Sequence, residues 1–398
     1  MKISPQEVVS TLRAVLVSAD GDFVPLHEPT FAGPEWDCVK QCLDSGWVST
    51  AGEFVTRFER ELARFCGVKR AVAVCNGTAA LHASLVLAGV QPGDEVVIPS
   101  LTFVATANAV HYAGAVPHFA DAEPVSLGID PAKLRDHLDR IAVLRDGACV
   151  NRETGRRIAA LVPMHTFGHP SRMDELLALA DDYGLVLIED AAEALGSYFR
   201  GIHAGGLGRL GALSFNGNKI ITTGGGGAIL TNDEALADRA RHLTTTAKLP
   251  HRWRYDHDQI GYNYRLPNLN AALGVAQLGQ LPKLLRRKRA LIQSYADAFR
   301  DSPGVTLVTE PPESRSNYWL ATLLLDPGSE PLLEPVLKAT NDAGLMTRPS
   351  WTPLHQLQPF RHCPRMDLAA ANSLAQRLIN IPSSAHLVPA LPTTPVSS

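Results

Sequence analysis

The sequence predicts an α/β protein: a mostly parallel sheet between helices, followed by a smaller α+β C-terminal domain. Three observations carry that reading. From about residue 53, apolar strand-like runs alternate with helical patterns, as in a sheet covered on both faces. The residues with chemistry to offer, Gly77, Asp190 and Lys219, each fall at or beyond the C-terminal end of such a run, where ligands of these sheets bind. A long charged segment, about 268–301, then leads into a region of different organisation.

In chain order, Val8, Val9, Leu12, Val15 and Leu16 share one helical face within residues 5–17, to pack on the body or on a partner subunit. Helices are predicted at 53–66, 78–89, 102–113, 172–183 and 233–243, and seven strands at 71–75, 95–98, 116–120, 158–163, 185–189, 211–215 and 226–231. The segment 268–301 reads as a helix broken near Pro282, forming a hinge. Beyond it, the region 305–385 carries a strand at Tyr318–Leu325 and a loop around Arg348. The chain thus divides into an N-terminal helical arm (1–22), a large domain (23–265), a hinge helix with a small domain (266–388) and a loose tail (389–398).

Composition excludes several classes. The 37 basic and 40 acidic residues leave a net charge of −3, which calls for neither nucleic acid nor an acidic membrane surface. No apolar run approaches the roughly 18 residues of a membrane span, and Met1–Glu7 lacks the apolar core of a signal peptide. Six scattered cysteines suit reduced thiols in a cytoplasm. Cys38 and Cys42 have no second pair and no His/Cys/Asp cluster has metal spacing, so no metal site is expected.

Three segments carry the chemistry. Ala71–Cys75 runs through Asn76-Gly77-Thr78-Ala79-Ala80 into a helix, whose unpaired N–H groups favour a phosphate. The apolar run Leu185–Ile188 delivers Glu189, Asp190 and Glu193. The loop Ser214–Lys219 ends in an amine and is followed by Gly224–Gly227. Together they suit pyridoxal phosphate, which needs an amine for its aldehyde, a helix N-terminus for its phosphate and an anion beside its pyridine nitrogen. Asp190 also reads as a helix N-cap, a role compatible with the first. The glycines Gly206, Gly208 and Gly211 match G-x-G-x-x-G but run into a strand rather than a helix, which opposes a dinucleotide site; they read as a loop near the cofactor. His82 reads as a core residue.

These segments resemble the DegT/DnrJ/EryC1/StrS sugar aminotransferases, fold type I enzymes, from about Phe23 to about Ser384. The strongest pieces are Asn76–His82, Gly93–Val96, Pro99–Phe103, Glu189–Ala192, Ser214–Lys219 and Gly261–Arg265. The resemblance implies that Lys219 is the Schiff-base lysine and proton carrier and that Asp190 pairs with the pyridine nitrogen. Thr78, Ala79 and Ser214 would contact the phosphate, and Phe103 would stack on the cofactor ring. Asn263 would reach the neighbouring subunit's phosphate, which implies a homodimer with a shared active site. Glu193 departs from the Gln or His of many members; facing a phenolate, it is either protonated or turned away. Lysine rather than histidine at position 219 implies transamination instead of dehydration. The implied donor is L-glutamate and the implied acceptor a nucleotide-linked 4-keto-6-deoxy sugar, similar to the UDP-linked N-acetyl branch, with amination at C3 left open. Arg265 and Arg348 are expected at the sugar's diphosphate, and His165 at cofactor or substrate. A sensor on the same scaffold is the rival reading; an intact Thr78, Asp190 and Lys219 argues against it.

Overall fold

The computed structural model describes residues 2–17 and 22–388; the predicted loose tail, 389–398, lies outside them. The seven predicted strands form one sheet: β1 (Arg70–Val74), β2 (Glu95–Pro99), β3 (Val116–Ala120), β4 (Ile158–Leu161), β5 (Val186–Asp190), β6 (Leu210–Ser214) and β7 (Gly227–Thr231). Their order is β1-β7-β6-β5-β4-β2-β3. All neighbours are parallel except β7, which runs antiparallel to both β1 and β6. The strands were legible because they are buried on both faces and so read as continuous apolar runs.

Helix α1 (Pro5–Val15) packs on α9 (Asn268–Phe299), and α2 (Glu35–Ser45), α3 (Glu53–Cys66), α4 (Gly77–Leu87), α5 (Ala105–Tyr112), α6 (Pro131–Ile141), α7 (Met173–Tyr183), α8 (Glu234–Thr244) and α9 surround the sheet. α4 is apolar on every side because it lies between the sheet and helices α5 and α8. The predicted break at Pro282 does not occur. α9 runs unbroken through it for 32 residues, although an internal proline costs about 3 kcal/mol. Leu278, Leu281 and Leu284 on either side of Pro282 are buried, and that packing holds the helix together.

A second, antiparallel sheet follows, of β8 (Val305–Leu307), β9 (Ala321–Leu325), β10 (Arg348–Pro349) and β11 (Leu378–Ile381), in the order β8-β9-β11-β10. β9 begins three residues later than expected because Tyr318 adopts a φ of 49°, which no extended strand accepts. Helices α10 (Leu333–Asp342) and α11 (Ala369–Ala375) complete this layer. α1 opens with a capping box, in which Ser4 and Glu7 bond each other's main chain. Its Val8 and Leu12 join the core of this second layer, with Leu291, Tyr295 and Val336.

Candidate active site

The C-terminal ends of β1, β5 and β6 converge on one pocket, bounded by the start of α4, the Asp190–Glu193 turn and the loop that carries Lys219. The α4 end is shaped by two close approaches. A Cβ on Gly227 would stand 2.8 Å from the Gly77 nitrogen and 2.5 Å from the Asn76 carbonyl, and one on Gly77 would stand 2.9 Å from Ser214 Cβ. Only glycine permits β7, β6 and the helix start to meet here. Gly227→Ala should therefore lose affinity for pyridoxal phosphate and cost about 1–3 kcal/mol of stability through overpacking, read by equilibrium dialysis and denaturant unfolding.

Asn76, Gly77, Thr78 and Ser214 line this end. Ala79, expected at a phosphate, does not; its N–H is donated to Asn76 Oδ1 at 2.8 Å, capping α4. Asp190, buried at the end of β5, accepts from Thr106 Oγ1 at 2.7 Å and from the Ala192 N–H at 3.2 Å. Burial raises its carboxyl above the usual range, against those two hydrogen bonds. No lysine or arginine pairs with it among the described residues.

Lys219 sits in a turn closed by its own N–H on the Asn216 carbonyl, 3.0 Å. Its Nζ lies 3.3 Å from Glu193 Oε1 and 3.8 Å from the centre of the Trp319 ring, a geometry that attracts an ammonium to an aromatic face. The Trp319 indole N–H in turn holds the Asn218 carbonyl at 2.7 Å. Glu193 has not turned away: its second oxygen accepts the Phe167 N–H at 2.9 Å. Phe167 packs on Trp351, ring centres 4.9 Å apart, and Trp351 faces the half-exposed Phe103 across 6.4 Å.

Burial pushes the Glu193 carboxyl up to about 7, against the pull of Lys219. A carboxyl whose folded value lies above its unfolded one binds its proton more tightly in the folded state. Stability therefore falls as pH rises between the two values, here from 4.5 to about 7. Thermal midpoints of the cofactor-free protein should drop across this window, and Glu193→Gln should flatten the drop.

Three expected site residues stand elsewhere. His165 is fully buried; its Nε2 lies 2.9 Å from Glu189 and its Nδ1 accepts the Ser171 N–H at 3.1 Å, so neither nitrogen is left for a ligand. Glu189 points to the other side of β5 from Asp190. There the glycine loop expected near the cofactor folds around its carboxylate, donating the N–H groups of Gly205, Leu207 and Gly208 at 2.7, 2.7 and 2.6 Å. The anion in that loop is the protein's own. Arg348 is exposed and bonds the Asn341 side chain and the Thr347 carbonyl at 3.1 and 3.0 Å. Arg265 reaches Thr50 and the Thr245 carbonyl at 3.3 and 3.2 Å, with its Nε buried and unpartnered. Neither guanidinium lines the pocket, and neither does Asn263.

Asn216, Asn218, Met164, Trp319 and Trp351 line the pocket without having been anticipated. The two tryptophans lie before β9 and after β10, and only folding brings them to Lys219. The glycine cradle, a buried acid without a cation of its own and an amine at the mouth fit pyridoxal phosphate. Fold and pocket together define a pyridoxal-phosphate-dependent aminotransferase. The chain matches the DegT/DnrJ/EryC1/StrS aminotransferase family over residues 32–391 and belongs to it. It is 38% identical over 368 residues to a GDP-perosamine synthase of Caulobacter vibrioides, covering 92% of this chain and 95% of the relative. It is 39% identical over 330 residues to the putative pyridoxal phosphate-dependent aminotransferase EpsN of Bacillus subtilis, covering 83% and 82%. The solved structure of a family aminotransferase from Brucella abortus superposes with a TM-score of 0.80 at 28% identity, covering 89% and 91%. No helix among the described residues is long and apolar enough to cross a membrane.

Proposed function

We propose that this enzyme moves an amino group from L-glutamate to the C4 ketone of a nucleotide-linked 4-keto-6-deoxy sugar. The observation that carries the reading is Lys219: a single reachable amine, 3.3 Å from Glu193, in the same pocket as Asp190 and the glycine cradle. Gly77, Thr78 and Ser214 would hold the cofactor's phosphate, Asp190 its pyridine nitrogen and Phe103 its ring. The cofactor supplies an electron sink beside the substrate carbon. Lys219 would carry the proton between the substrate carbon and the cofactor, acting as base and then as acid. Glu193, its carboxyl pushed up to about 7, would donate a hydrogen bond to the cofactor's phenolic oxygen when protonated and pairs with the Lys219 ammonium when ionised. Phe103, Trp319 and Trp351 exclude water from the reacting face.

The acceptor is read from relatives. Proteins of C. vibrioides, Vibrio cholerae and Escherichia coli O157:H7, 38, 34 and 35% identical to this chain, are all named GDP-perosamine synthase. Those names favour a guanosine diphosphate carrier over the uridine carrier expected from the sequence. Incubation with a panel of GDP-, UDP- and TDP-linked 4-keto and 3-keto sugars plus L-glutamate, with products identified by mass and NMR, tests both points. Amination at C3 alone, or of no nucleotide sugar, would overturn the assignment. A sensor role is favoured by the name of a relative, a sensory transduction protein of Saccharopolyspora erythraea at 34% identity. Turnover of L-glutamate to its keto acid in stoichiometric excess of enzyme excludes it.

A homodimer with shared sites is part of the proposal. Asn263 stands outside its own pocket, and its neighbours on the same loop, Trp253, Tyr255 and Ile260, are 71, 78 and 87% exposed, more apolar surface than a lone loop ordinarily shows. Asn263→Ala should weaken cofactor affinity several-fold; unchanged affinity in equilibrium dialysis would count against sharing.

A further inference from the structure

Lys288, on α9, is 1% exposed and forms no ion pair among the described residues. Buried amines are rare because losing water costs several kcal/mol unless a counter-charge is gained; here the compensation is main chain. Lys288 Nζ donates to the Trp319 carbonyl at 3.1 Å and to the Ser383 carbonyl at 2.5 Å. Burial pushes its amine down to about 7. His27 is partly buried nearby; desolvation first, then Lys288 and Lys219, holds its imidazole well below the usual value, so it adds no second positive charge.

The two carbonyls sit at the junction of the layers. Ser383 follows β11; its N–H reaches the Leu26 carbonyl at 2.7 Å and its hydroxyl takes the Ala321 N–H at 2.8 Å. Trp319 precedes β9, and its indole does two things at the pocket: it holds the Asn218 carbonyl and lies beneath the Lys219 amine. A chain of contacts therefore runs from Lys288 through Trp319 to Lys219. An apolar residue at 288 would leave the Trp319 and Ser383 carbonyls buried and unpaired, and the tryptophan main chain free to turn.

We propose that Lys288 is a positioning residue for the active-site lysine: it fixes the Trp319 main chain, and through the indole it sets where the Lys219 amine stands for the cofactor. The proposal is independent of which ketone the enzyme aminates. It also gives a reason for burying, more than sixty positions from the pocket loop, an amine that has no counter-charge among the described residues.

The test is a double-mutant cycle on the full chain, read as the dissociation constant for pyridoxal phosphate by equilibrium dialysis rather than as activity. Lys288→Met and Trp319→Phe should each weaken cofactor binding by about tenfold, the scale of one buried hydrogen bond to a charged group. The double variant should be no weaker than either single one, because both act on one element. Trp319 emission, taken as the difference between a protein and its Trp319→Phe counterpart, should shift in Lys288→Met, and Lys288→Arg, which keeps the donors, should restore emission and affinity. Where Lys288→Met fails to fold, Lys288→Gln takes its place in the cycle. Cofactor affinity within twofold of wild type, or effects that multiply in the double variant, would overturn the proposal, since a purely structural lysine lowers stability without coupling to the indole.

Discussion

Lys219→Ala is expected to lower turnover by at least about 10³-fold, the scale of removing a positioned proton carrier. No replacement stands ready: among the residues that line the pocket Lys219 is the only amine, and Lys288 is sealed behind Trp319. The variant should still fold, because the turn that carries residue 219 is held by main chain and by the Trp319 bond to Asn218. It should still bind pyridoxal phosphate, more weakly, through the glycine cradle and Asp190. Glu193 would then lose its partner at 3.3 Å and stay neutral to higher pH. Steady-state assays with L-glutamate, beside a dialysis measurement of bound cofactor, separate lost chemistry from lost binding. A variant that retains a tenth of wild-type turnover would contradict the role given to Lys219.

Asp190→Asn should cost on the order of 10²-fold in turnover, equivalent to about 3 kcal/mol, with a smaller change in cofactor affinity. The substitution keeps the shape and removes the charge. In the folded protein that charge is held by Thr106 and the Ala192 N–H, both donors, so an amide nitrogen on either side loses one of them. The cofactor-free protein pulls in the other direction: an acid raised by burial destabilises the fold when ionised, so the neutral variant should unfold at a higher temperature than wild type near pH 7. Lower turnover together with a higher thermal midpoint separates a group kept for chemistry from one kept for stability. A lower midpoint would mean that Asp190 serves mainly as a structural cap.

Much of this was legible in the chain. Strands β1 to β7 are buried on both faces, so each reads as an apolar run, and Gly77, Asp190 and Lys219 can be placed at their ends by counting. The structure adds what spacing cannot carry. Trp319 and Trp351 come to Lys219 from the second layer, and Thr106 reaches Asp190 from α5; no periodicity ties such positions together. His165 is expected at cofactor or substrate by residue type, yet Glu189, adjacent to Asp190, takes its ring on the opposite face. Pro282 reads as a break by local rules, and burial on both sides overrides them. Arg348 looked like a phosphate ligand by type, yet its edge strand turns it to Asn341.

Borohydride reduction of the protein loaded with pyridoxal phosphate, followed by peptide mass mapping, asks most directly whether Lys219 holds the cofactor. The expected result is a pyridoxyl group on the peptide containing Lys219 and on no other lysine, lost when L-glutamate is added before the reductant. Labelling at a different lysine, or labelling of Lys219 that L-glutamate leaves unchanged, would contradict the assignment of this pocket to amino transfer.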